Sequence, residues 1–200
     1  SGCWGDSGAG CLNENLHTGQ CSISNTNPFN DVPNSAWYRN AVLWLVQRGI
    51  TSGTGPGRYS PNSAVTRGQM AVFLWNTAGQ PAAIYGHGFS DVPSGSYANN
   101  AVAWLVEQGI TSGTGPDRYS PNSPVTRGQM ATFLWRMIGG VYAGADHGFY
   151  DVYPDDYYDR AVAWLVREGI TSGTSQWEFS PNQRVSRAQM AVFLNKRACG

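Results

Sequence analysis

Residues 100–135 read NAVAWLVEQGITSGTGPDRYSPNSPVTRGQMATFLW, and residues 40–75 repeat them with six differences in 36 positions. A third, more divergent copy starts at Asp159. The register is constant at sixty residues, as in Asp31, Asp91 and Asp151, Trp44, Trp104 and Trp164, and Arg67, Arg127 and Arg187. Self-similarity at a fixed period sets an architecture before any single element is assigned. The chain therefore reads as an extension over residues 1–26 followed by one unit used three times, over 27–86, 87–146 and 147–200. A unit of this size buries too little of its own surface to be robust alone, so the three are expected to fold together.

Within each unit the apolar spacing marks two helices. The first is expected over Trp37–Arg48, Tyr97–Gln108 and Tyr157–Glu168. In the middle copy Ala101, Val102, Trp104, Leu105 and Val106 give an apolar face too broad for burial on one side only. Gly49, Gly109 and Gly169 follow, where a residue without Cβ most easily takes the left-handed terminating conformation. The ITSGT segment reads as a tight loop with a short extended piece. The second helix opens on a capping box in all three copies: Thr66 with Gln69, Thr126 with Gln129, and Ser186 with Gln189. In such a box the hydroxyl accepts from the third helical amide while Gln reaches back to the amide of the cap. Met70, Phe73 and Leu74, with their equivalents in the other copies, then supply a core stripe. The fold class expected is mainly α, three helical hairpins with short extended segments.

Composition narrows the functional classes. Lys and Arg balance Asp and Glu at 13 each, so no broad positive field points to nucleic acid. No stretch approaches the ~18 apolar residues of a membrane-spanning helix. The nucleophile-elbow, zinc-protease and phosphate-loop motifs are absent, and no carboxylate pair recurs in a way suited to glycoside hydrolysis. These readings point away from an enzyme and imply no cofactor. High aromatic and Gly content suits a rigid, loop-rich exported protein, and also carbohydrate contact. Ser1 is not an initiator Met, and the chain is expected to be a mature secreted protein whose targeting segment has been removed.

Cys3, Cys11, Cys21 and Cys199 lie at the two ends of the chain, outside the repeated motifs. Their even number favours disulfides in an oxidising compartment. Three pairings are open, and Cys11 with Cys21 and Cys3 with Cys199 is the pairing favoured. A zinc site is disfavoured because no C-x-x-C pair is present. His87 and His147 share a register in a Gly-rich loop that holds Asn27 in the first copy, and read as loop residues. Asp155, Asp156 and Asp159 form an acidic cluster without the spacing of a calcium loop. No metal site is expected.

The FNDV, FSDV and FYDV starts, the Trp inside the first helix, the GITSGT loop, the aromatic-S-P segment and the TRGQ or SRAQ helix start together resemble the S-layer homology module. The resemblance covers residues 29 to about 197. It implies three modules assembled with pseudo-threefold symmetry, one helix of each contributing to a central bundle. It also implies a non-catalytic protein at the cell wall or cell surface, held to wall polysaccharide, often pyruvylated, through grooves between modules. The family's usual T-R-A-E start carries Glu where this chain has Gln three times, which keeps the cap but loses the charge. The third loop reads GTSQWEF where the others read GTGPGRY and GTGPDRY, so the third groove is expected to be altered.

Arg67, Arg127 and Arg187 are the leading candidates for carbohydrate contact. Each sits at the first position of a helix, where the helix dipole disfavours a cation. An acidic ligand group held by the guanidinium beside free helix amides would offset that. The competing reading is an internal ion pair or stacking on an aromatic neighbour. Asp31, Asp91 and Asp151 are ligand candidates as well, although fixing the turn before the first helix through backbone bonds is the more economical role. Trp37, Tyr97 and Tyr157 are candidates to present a ring to a sugar. An alternative function is a self-assembling subunit of an extracellular filament or surface layer, a homo-oligomer or polymer with Cys199 available for links between subunits.

Overall fold

The computed structural model describes residues 21–140, 144 and 146–200. The expected irregular extension therefore falls largely outside the described residues, as do Cys3 and Cys11. Six helices carry the regular structure of the described part: α1 (Arg39–Gln47), α2 (Arg67–Thr77), α3 (Asn99–Glu107), α4 (Arg127–Arg136), α5 (Asp159–Arg167) and α6 (Arg187–Cys199). The extended segments form only isolated bridges, such as Gly55 with Arg58 and Gly115 with Arg118. The mainly helical fold read from periodicity is the one observed.

The first helix of each copy starts about two residues later than the apolar pattern suggests. Tyr38, Ala98 and Tyr158 precede these helices and make no side-chain cap. A bonded turn leads in instead, with the amide of Ala36 donating to the Pro33 carbonyl and that of Arg39 to the Ala36 carbonyl. The far end is a Schellman closure. The amide of Gly49 donates to the Val46 carbonyl and that of Ile50 to the Leu45 carbonyl, with Gly49 at φ 66°. The same pair of bonds recurs around Gly109 and Gly169.

The capping boxes are present in all three second helices. The Thr66 hydroxyl accepts from the Gln69 amide at 3.3 Å, and the Gln69 side chain accepts from the Thr66 amide at 3.2 Å. Thr126 with Gln129 and Ser186 with Gln189 repeat the arrangement. A box satisfies one of the orphan helical amides and leaves those of the first two helical positions without an intrahelical partner.

The partners of those amides come from the neighbouring copy. Arg67 and Gly68 donate to the carbonyls of Ser123 and Pro121 in copy two, at 2.9 and 2.8 Å. Arg127 and Gly128 donate to Gln183 and Pro181 in copy three, and Arg187 and Ala188 return to Ser63 and Pro61 in copy one. Just before each helix a second cycle closes. The Val65 amide donates to Val185, Val185 to Val125, and Val125 to Val65, at 2.8 to 2.9 Å. Backbone bonds of this kind run round a pseudo-threefold axis, and all three valines are fully buried.

Helix packing follows the same cycle. Helix α2 packs on α3, α4 on α5, and α6 on α1, so the close helix pairs join one copy to the next. The broad apolar face of the first helices has its explanation here. Ala41, Val42, Leu43, Trp44 and Leu45 are all buried, because α1 meets α6 as well as the interior of its own copy. One continuous core unites the three copies. The sixty-residue unit is thus a repeat of sequence whose packing partners lie in its neighbours.

Ring closure also settles part of the cystine pattern. Packing of α6 on α1 brings the start of the described chain to the end of the last helix, and Cys21 is bonded to Cys199 with their Cα atoms 5.6 Å apart. This corrects the pairing of Cys11 with Cys21 and of Cys3 with Cys199. Spacing favoured the short loop, whereas closure of the ring places residues 178 apart in sequence side by side. The Ser24 amide and the Gln47 side chain bond nearby at 3.0 Å, tying the same strap to α1. Replacing both Cys21 and Cys199 by Ser is expected to lower stability by about 2–5 kcal/mol, because a long loop is freed in the unfolded state. Denaturant unfolding of the variant under oxidising conditions measures the loss.

Seams between the copies as the candidate functional site

Each seam is built on a conserved local geometry within the chain, starting from an aspartate. Asp31 accepts from the amides of Tyr59 and Ser60, both at 2.8 Å. Asp91 holds Tyr119 and Ser120, and Asp151 holds Phe179 and Ser180, in the same way. The serines sit at φ 57° to 60°, a left-handed conformation that non-glycine residues rarely adopt. Their hydroxyls also contact Thr54, Thr114 and Thr174 at 2.6 to 2.7 Å. This bend turns the following Pro-Asn segment so that its carbonyls face the neighbour's helix. The aspartates therefore fix the segment before the second helix, not the turn before the first.

The arginines are interior groups. Arg67, Arg127 and Arg187 expose only 4, 3 and 4% of their surface. Each Nε donates at 2.7 Å to a carbonyl of the next copy, that of Tyr119, Phe179 and Tyr59 respectively. Each guanidinium also lies over the same aromatic ring, 4.6 to 4.7 Å from its centroid, and against a second ring from Phe133, Phe193 or Phe73. Tyr119 and Tyr59 return the contact by donating their hydroxyls to the carbonyls of Arg67 and Arg187. Phe179 lacks that hydroxyl. The expectation of free helix amides beside the arginines is corrected, since those amides are already taken by the neighbouring Pro-Asn segment.

Burial pulls these guanidinium groups below their ordinary pKa, that of Arg127 to about 10, and a guanidinium in a protein keeps its charge at neutral pH. No carboxylate lies within ion-pair distance of any of the three among the described residues. The Nη2 atom of each is buried and has no hydrogen-bond acceptor among the described residues. Cation–π contact offsets part of the desolvation cost, by about 2 kcal/mol or more when water is excluded. Gln69, Gln129 and Gln189 bring no charge, so the positive charge in each seam is not neutralised from the capping box.

Trp37, Tyr97 and Tyr157 stand at the rim. They are exposed by 67, 63 and 59%. Tyr97 reaches back over the start of α2, where a Cβ on Gly68 would lie 2.6 Å from its hydroxyl. Arg67, Gly68 and Tyr97 thus converge on one seam. Tyr157 neighbours Thr126 in the second seam, and the ring of Tyr158 crosses Gly128. The third seam has Ala188 at that position, with Trp37 packed edge-on against Tyr38. The divergent third loop, with Glu178, precedes Phe179 and so belongs to the Arg127 seam between the second and third copies.

The histidines have a local role. His87 and His147 accept from the amides of Phe89 and Phe149, as Asn27 does from Phe29. His147 also faces Asp159 at 3.2 Å, and Asp156 accepts from the Tyr153 amide. No group of three or more potential metal ligands occurs among the described residues. What sequence reading missed were the backbone acceptors, the carbonyls of Pro61, Pro121, Pro181 and the residues that follow. The signal was an aromatic-Ser-Pro-Asn run at one register in every copy.

Burial alone would raise the Asp31 and Asp91 carboxyls, but the two backbone amides bound to each, with Arg58 or Arg118 nearby, hold them below the ordinary carboxylate value. Their contribution to stability is therefore complete above the unfolded-state value near 3.9 and is lost as pH falls from there through the lower folded-state value. Asp91→Asn is expected to cost about 1.5–3 kcal/mol at neutral pH, the range for hydrogen bonds to a charged group. Its loss of stability between about pH 5 and pH 2 should be shallower than in the wild type. Urea unfolding across that pH range checks both.

Three stretches of the chain, residues 28–71, 88–131 and 148–191, match the family model described as S-layer homology domain. An endoglucanase of Bacillus sp. (strain KSM-635) is 32% identical over 184 residues, which is 87% of this chain and 19% of the relative. An amylopullulanase of Thermoanaerobacterium thermosulfurigenes is 27% identical over 83% of this chain and 9% of its own length. S-layer protein EA1 of Bacillus anthracis is 26% identical over 83% of this chain and 19% of its own length. The chain thus spans less than a fifth of each of these relatives. No helix among the described residues is long and apolar enough to cross a membrane. With three matched copies covering well over half its length, the chain belongs to the S-layer homology domain family, whose place is the cell surface or cell wall.

Proposed function

We propose that this chain is a non-catalytic module that holds an exported protein to cell-wall polysaccharide, with acidic sugar residues, such as pyruvylated ones, lodged at the seams between copies. The observation that carries the reading is the state of the three arginines. Each is charged, buried, without a carboxylate at ion-pair distance among the described residues and with a donor atom unmatched, and Arg67 lies one residue from Gly68, which sits under the rim ring of Tyr97. A carboxylate presented by a glycan supplies the missing countercharge, and a fork of guanidinium donors suits its planar geometry. Tyr97, Tyr157 and Trp37 offer ring faces for the sugar beside it. Asp31, Asp91 and Asp151 position the loop that frames each seam.

The relatives support an attachment role. An endoglucanase, an amylopullulanase and an S-layer protein each contain a similar stretch within a much longer chain. One module joined to different partners is what attachment requires. The alternative, a self-assembling filament or layer subunit, loses the link offered by Cys199, which is bonded within the chain to Cys21.

Sedimentation with purified wall polymer tests the proposal. Tyr97→Ala removes an exposed ring and is expected to weaken binding about tenfold with little change in melting temperature. Arg67→Gln is expected to abolish binding at its seam and also to cost about 1.5–3 kcal/mol of stability, since it breaks a buried charged hydrogen bond. Removal of ketal-linked pyruvate from the polymer by mild acid should reduce wild-type binding similarly. Full binding by both variants, or by the depyruvylated polymer, contradicts the reading.

A further inference from the structure

The third copy departs from the other two at one corner, where Tyr150 and Trp177 stack with ring centroids 5.4 Å apart and planes 9° from parallel. The same two positions are Asn30 with Gly57 in the first copy and Ser90 with Asp117 in the second. A backbone bond joins each pair, from the amide of residue 30, 90 or 150 to the carbonyl of residue 57, 117 or 177, at 2.8, 3.2 and 2.9 Å. Since that bond forms with Gly57, which has no side chain, the fold does not call for an aromatic ring at either place. In the first copy the corner is an open cleft of about 580 Å³ lined by Pro28, Phe29, Val46 and the small residues 52–57.

The two rings are not core. Tyr150 is 72% exposed and Trp177 48% exposed, so the stack presents an outer face to solvent. Large exposed aromatics that contribute little to packing mark contact surfaces. Beside them Glu178 stands where the other copies have Arg58 and Arg118, reversing the charge next to the loop. Ser175 and Gln176, also exposed, add neutral polar groups to the same loop. A flat apolar face bordered by hydrogen-bonding groups and a carboxylate fits the chemistry of a neutral hexopyranose. The axial C–H groups of such a sugar cover a ring while its hydroxyls donate to the carboxylate. An acidic sugar is repelled by the same group.

We infer that Tyr150 and Trp177 form a binding platform for neutral glycan, built within the third copy and selecting against the acidic sugars proposed for the arginine seams. The platform uses no arginine and does not rest on the seam reading. Affinity electrophoresis of the full chain in gels containing hydroxyethyl cellulose, with polygalacturonate as the charged counter-probe, tests it. Retardation by the neutral polymer is expected, and any retardation by the acidic polymer belongs to the seams and should be indifferent to changes at Tyr150 and Trp177. Trp177→Gly and Tyr150→Asn, each importing the residue of the first copy, should weaken it about tenfold while the melting temperature stays put. Glu178→Arg should weaken retardation by the neutral polymer as well and strengthen that by the acidic one, whereas Arg67→Gln should leave retardation by the neutral polymer unchanged. The inference is overturned if the wild type is not retarded by the neutral polymer, if Trp177→Gly and Tyr150→Asn run like wild type, or if both variants lose retardation together with thermal stability. Retardation lost equally in Arg67→Gln would also overturn it, by assigning the neutral polymer to the seams.

Discussion

The first two amides of each second helix have no partner within their own copy, and the structure depends on where they find one. An α-helix always leaves its opening amides unbonded, and burying them unmet costs on the order of a hydrogen bond each. In this chain the Pro-Asn segment of the next copy supplies the carbonyls, for Arg67 and Gly68, for Arg127 and Gly128, and for Arg187 and Ala188. No copy can complete its own second helix alone. The valine cycle at Val65, Val125 and Val185 imposes the same condition on the axis. Three repeats are then the number that closes the ring, and the bond between Cys21 and Cys199 fastens the closure.

The seam chemistry follows from that constraint. To offer its carbonyls, the donor segment must bend sharply after Tyr59, Tyr119 or Phe179, and the aspartate one helix earlier holds the bend through two amides. The same bend presents an aromatic ring and a carbonyl to the arginine of the neighbouring helix. A cation at a helix start, unfavourable by the dipole alone, is retained by cation–π contact and a carbonyl bond. Its charge nevertheless has no carboxylate within ion-pair distance among the described residues, Asp91, Asp151 and Asp31 acting on it only from farther off. Gln in place of a glutamate at the capping box keeps the helix start intact and leaves the guanidinium without a carboxylate in contact, which is the property the proposed ligand would use.

Local rules made much of this legible in the sequence. The capping boxes at Thr66, Thr126 and Ser186, the glycine terminators at Gly49, Gly109 and Gly169 and the mainly helical fold each depend on residues within a turn of one another. The outcome differed where a residue's partner lies in another copy. Periodicity gave Arg67 a position on a helix but not the ring of Tyr119 beneath it, and it gave Asp91 a turn but not the turn 28 residues away that it holds. Cystine spacing favoured a short loop because closure of α6 on α1 leaves no mark in the residues near Cys21. The breadth of the apolar face on the first helices and the aromatic-Ser-Pro-Asn run at one register were the local traces of contact across copies.

The central claim is that each copy's helix starts are completed by its neighbour, so that the three open only together. Native-state hydrogen exchange at the amides of Arg67, Gly68, Arg127, Gly128, Arg187 and Ala188 measures this most directly. The account predicts one common opening free energy for all six, equal to that of global unfolding and with the same denaturant dependence. Exchange of one copy's pair through a smaller, local opening while the other two stay protected would contradict it.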